Sequence, residues 1–240
     1  MTDVSKVTTG RLKVGASVIA AFDAQGSAIA TAVEASPNAP PAGLAQAVID
    51  WVRGALHNAN EGLRAADLAH ALEGDDDHAP RLRRDTLTRE LRAVLISGSD
   101  GVRGVYGRSF SRALGLESAL PERPDQVLHH AETILQNLAT KVAPEPEHEG
   151  SSFDLPRFAA RIEGKCVALK EALETVSREE RELQTTLSQR DQATSRWLRT
   201  YAGAAMILSG MATLAGLDDL AAKVKPTERK RAGIAEEEVL

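Results

Sequence analysis

The longest regular run of apolar positions lies between Leu155 and Leu187. Leu155, Phe158, Ile162, Cys166, Leu169, Leu173, Val176, Leu183 and Leu187 recur mostly in steps of three and four, with Glu180 as the one interruption. That spacing lines one side of an α-helix and forms a seam that packs on other helices. Lys165, Lys170, Glu171 and Glu174 fall off the seam.

The same pattern predicts the other elements. A helix over about residues 10–35 carries Leu12, Ile19, Phe22, Ile29 and Val33, with Gly15 and Gly26 on its seam where a neighbouring backbone can approach. Pro37, Pro40 and Pro41 end it. A second helix spans about 42–72 with Val48, Ile49, Val52, Leu56, Leu63 and Leu68 inward; a third spans about 81–116, with a glycine-rich middle that invites a kink. A fourth covers about 124–143. Beyond Pro144 and Pro146 the seam runs over about 153–188 and resumes over about 190–216 at Trp197, Tyr201, Ala205, Leu208, Met211 and Ala215.

Between these last two stretches, Ser177 to Arg196 keeps only Leu183 and Leu187 as large apolar residues. The polar gap favours a hairpin tip. The absence of glycine and proline favours one rod of about 60 residues, roughly 90 Å at 1.5 Å per residue. The hairpin is the expectation taken forward.

Landmarks recur about one hundred residues apart. Arg84-Asp85 before Leu91-Arg92 matches Arg190-Asp191 before Leu198-Arg199, and Leu114-Gly115-Leu116 after Tyr106 matches Ala215-Gly216-Leu217 after Tyr201. The expected fold is therefore all-α: an elongated antiparallel bundle of two duplicated three-helix units with a pseudo-twofold relation. The units are 1–120 and 121–224, followed by a charged disordered tail, 225–240.

Composition agrees with helices. Aromatic residues make up 3% of the chain and apolar residues 42%, and strands draw more heavily on aromatic and β-branched side chains. A net charge of −5 argues mildly against general binding to nucleic acid or acidic membranes. The lone Cys166 excludes an internal disulfide and a cysteine-based zinc cluster, and its place on the seam reads as packing. The apolar run after Lys6, Arg11 and Lys13 is too short and interrupted for a signal peptide, so the expected location is cytoplasmic.

No catalytic, cofactor or metal constellation emerges. A paired-metal bundle needs Glu-x-x-His on two helices, and Glu145-Pro146-Glu147-His148 stands alone in a proline linker. His129-His130 are adjacent, about 100° apart on a helix, and share no ligand face easily. Asp75-Asp76-Asp77 lacks the spacing of a calcium loop. Gly107-Arg108-Ser109-Phe110-Ser111 lacks the final glycine of a nucleophile elbow, and no phosphate loop is present.

Three stretches remain as candidates for contact. Arg103, Tyr106, Arg108, Phe110 and Arg112 interleave guanidiniums with aromatics among Gly98, Gly101, Gly104 and Gly107, a pattern suited to an anion, a nucleic acid or a partner. The plainer reading is a close helix crossing with a wet arginine face. Thr200 to Leu217 carries no charge and offers Tyr201, Met206, Leu208 and Met211 as a candidate membrane or interface face, with a buried core helix as the plainer reading. The tail ends in Glu236-Glu237-Glu238-Val239-Leu240, a candidate docking peptide.

The expected function is non-enzymatic: a structural or scaffolding bundle acting on itself or on another protein. An anionic-ligand module and a membrane-active helical protein are the alternatives.

Overall fold

A computed structural model describes residues 3–76 and 78–234, at 75 and 76 the backbone alone. Among these residues it is entirely α-helical outside turns and loops: α1 (Lys6–Glu34), α2 (Leu44–Asp76), α3 (His78–Leu114), α4 (Pro124–Thr140), α5 (Leu155–Leu214), α6 (Asp218–Val224) and α7 (Glu228–Arg231). The all-α expectation holds.

The hairpin does not. α5 is one helix of 60 residues. Its polar gap is rich in Arg, Glu and Gln, which are good helix formers, and no glycine or proline interrupts it. None of the residues 177–196 is buried, whereas Val176 and Trp197 on either side are. The seam thus fades where α5 leaves one core and has not entered the other.

The chain divides into two compact units, residues 1–74 with 183–240 and residues 75–182. This differs from the division at residue 120, and the units are not two consecutive three-helix copies. Each draws on a different half of α5.

In the first unit, α1, α2 and the second half of α5 enclose Val18, Phe22, Ile29, Ile49, Leu56, Leu63, Trp197, Tyr201 and Leu208. Ser5 starts α1, its hydroxyl accepting from Thr8 N at 3.3 Å, while its own N–H donates to Asp67 Oδ2 of α2 at 2.7 Å. Glu34 Oε1 accepts from Ala45 N at 3.1 Å, which gives one orphan amide of the α2 N-terminus a partner. The seam glycines do what their small size allows. A Cβ on Gly26 would lie 2.9 Å from Ile49 Cγ2, and one on Gly15 would strike the Asn60 side chain. Leu68, expected inward, is 36% exposed.

The expected disordered tail is placed through residue 234. Ala221 and Val224 of α6 join the core, and Thr227 caps α7 by accepting from Lys230 N at 3.3 Å. Gly233 then lies against Gly10 of α1, where no side chain fits. The short apolar segment anchors what charge alone suggests is solvated. Residues 235–240, with the candidate docking peptide, lie outside the described residues.

In the second unit, α3, α4 and the first half of α5 enclose Leu91, Leu95, Val102, Leu114, Val127, Ile134, Phe158, Ile162 and Leu169. Gly107 (φ 78°, ψ 171°) breaks α3, so its last turns fold back and Ser99 Oγ donates to Leu116 O at 3.1 Å. A Cβ on Gly98 would strike the Phe158 ring and one on Gly101 the Phe153 ring. Two of the four regularly spaced glycines therefore make room for aromatic rings, and a third makes the reversal.

Candidate functional site

The arginine-aromatic stretch is not assembled into one surface. Phe110 is buried, and Tyr106 is half-buried against it, ring centroids 5.6 Å apart. The Tyr106 hydroxyl donates to Phe153 O at 3.2 Å. Arg103, Arg108 and Arg112 are exposed. Arg103 pairs with Asp100 at 2.9 Å and Arg108 with Glu117 at 3.1 Å. The Arg108 guanidinium, with the Ser111 hydroxyl and Arg103 adding to it, holds the Glu117 carboxyl below the usual carboxylate range. Two of the three guanidiniums are thus already engaged, and the rings that would stack on a base pack on protein.

The second candidate face also divides. Tyr201 and Leu208 are fully buried, Met211 packs against the same core, and Met206 is exposed. Tyr201 stacks on Trp197 with centroids 5.0 Å apart and planes 1° from parallel. Trp197 Nε1 donates to Asn60 Oδ1 at 2.7 Å. By length and composition, the one helix among the described residues able to cross a membrane is α1, not Thr200–Leu217. Its Val14, Val18, Phe22, Ile29 and Val33 line the core.

Cys166 is buried, and burial, reinforced by Glu132 and Glu163, pushes its thiol up to about 11. That suits packing and opposes thiolate chemistry. Burial also lowers the His130 pKa, with His129 adding to it. His70 Nδ1 lies 3.1 Å from Thr186 Oγ1. The aspartate turn reaches Asp77 and lies outside the described side chains.

Two grooves stand out instead. In the first unit, α2 and the second half of α5 leave a groove of about 880 Å³, lined by Asn58, Gly62, Leu63, Leu187, Arg196 and Arg199 among others. A neighbouring hollow of about 500 Å³ shares Asn58, Ala59 and Arg196 with it and adds Trp51. Trp51 is 69% exposed. In the second unit, Leu135, Leu138 and Ala139 of α4 face Leu155, Pro156 and Ala159 of α5 across a groove of about 540 Å³. Val142, just past α4, is 91% exposed.

Sequence reasoning passed over both grooves. The signal was there for Trp51, a large aromatic residue one position off the Ile49–Val52–Leu56 seam. No family model matches the chain, and neither a curated protein nor a solved structure matches it.

Proposed function

We propose that the chain is a non-enzymatic helical scaffold that works by protein–protein contact, self-association included. The observation that carries this reading is the apolar groove between α4 and α5. Six of its seven lining residues are apolar, with Glu163 the exception, and Leu135, Leu138 and Leu155 pack against the core of the unit on one side while staying partly uncovered on the other. Contiguous apolar surface of this kind marks contact sites more often than isolated exposed side chains do.

The groove takes a complementary apolar ridge, and a second copy of the chain is the first partner to test. Light scattering after size exclusion at two concentrations measures this directly. A discrete multiple of 25.6 kDa that collapses to the monomer in Leu138→Glu supports self-association through this groove. A monomer at both concentrations refutes self-association.

A further inference from the structure

We propose that the groove between α2 and the second half of α5 docks an acidic amphipathic helix of another protein. The proposal rests on the scaffold reading and concerns a surface separate from the α4–α5 groove.

Charge is the first argument. Arg196 and Arg199 line the groove and lie three residues apart on one helix face. Neither makes an ion pair or a hydrogen bond among the described residues. Asp191 is the one carboxylate that lines the groove with them, and it pairs with Arg190 at 3.3 Å. The charged lining of this groove is therefore positive on balance, two guanidiniums against one carboxylate already paired. Two unpaired like charges at this spacing weaken a helix, and carboxylates from a partner relieve them.

Shape is the second. α2 and α5 run antiparallel along the groove, as the pairs Asn60–Trp197 and His70–Thr186 require. Its walls extend from Trp51 to Leu63 and from Gln184 to Thr200. At about 1.5 Å per residue that is roughly 18–24 Å, or about four helical turns. A groove between two antiparallel helices of a three-helix core is where a fourth helix packs in a four-helix bundle. Gly54 and Gly62 face open space on this wall.

Anchoring is the third. Leu63 and Leu187 give the groove an apolar floor, and Trp51 stands at its edge with most of its ring uncovered. Tryptophan and arginine carry a disproportionate share of binding energy where they become buried by a partner.

The test uses the full chain and synthetic amphipathic helices of one Leu/Ala seam, with polar faces graded from all-Glu to all-Lys. Labelled-peptide anisotropy gives affinity. Acrylamide quenching reports on Trp51, because Trp197 is already fully buried. The expected result is saturable binding that shields Trp51, at least about tenfold tighter for Glu faces than for Lys faces. Arg196→Glu with Arg199→Glu should lose about tenfold with unchanged far-UV circular dichroism.

The proposal is overturned by no saturable binding across the series, by no charge preference, or by equal affinity in the double variant. Tighter binding of a single-stranded oligonucleotide than of any acidic helix also overturns it. So does Trp51 shielding that is present without peptide and disappears on dilution with the oligomer, which assigns the groove to a second copy. Failure here leaves the Leu138→Glu mass measurement standing, so the two readings fail separately.

Discussion

Replacing Asn60 with leucine isolates one buried hydrogen bond. Asn60 is 7% exposed, and its Oδ1 accepts from the indole of the fully buried Trp197 at 2.7 Å. Leucine nearly matches the branching and size of asparagine, so the space beside Gly15 stays filled. The acceptor disappears and the indole N–H stays buried. An unsatisfied buried donor costs about 1–3 kcal/mol, against which the more apolar side chain returns a part. A net loss of about 1–2 kcal/mol corresponds to a fall in melting temperature of roughly 2–8 °C for a chain of this size. Urea denaturation followed by far-UV circular dichroism measures the loss. The cycle with Trp197→Phe isolates the bond: once the donor is gone, Asn60→Leu should cost at least about 1 kcal/mol less. Leucine that stabilises the protein, or additive single effects, would refute the reasoning.

Other perturbations test other joints. Gly107→Ala should destabilise by at least about 1 kcal/mol in the same assay, because φ of 78° disfavours any L side chain and a Cβ there meets Glu147. Gly10→Val should release the Gly233 contact, making 225–234 a preferred site of limited proteolysis while helicity falls little. Cys166 should resist a thiol reagent at pH 8 until the protein unfolds. Its folded pKa is raised to about 11 from 9.0, so its contribution is complete below about pH 9 and lost as pH rises through 11. Gln184→Pro should cost about 3 kcal/mol or more with a clear loss of helicity, as expected inside a continuous helix and not at a turn.

Much of the fold was legible because helix seams are local. The stops before Pro37 and Pro144, the inward faces of α1 and α2, and the bend in α3 follow from spacing and backbone chemistry. The hairpin failed for a physical reason: a polar stretch without glycine or proline is as compatible with a solvated helix as with a turn. The supposed repeat rested on landmarks such as Leu114-Gly115-Leu116 and Ala215-Gly216-Leu217, and helix ends of that kind recur without duplication. Among the candidate residues, Tyr106, Phe110, Tyr201 and Leu208 were chosen by type, and the fold turned all four toward the cores. Trp51 and Arg196 meet only through tertiary contact of α2 with α5, which no local pattern encodes.

The proposed docking groove depends on residues 184–200 being helix, because they form one of its walls. Amide hydrogen exchange across 177–196 therefore tests the account most directly. A continuous α5 predicts slowed exchange at every amide of that stretch, with no break. Exchange at the unprotected rate over several consecutive residues would place a turn there, restore the hairpin and remove the groove.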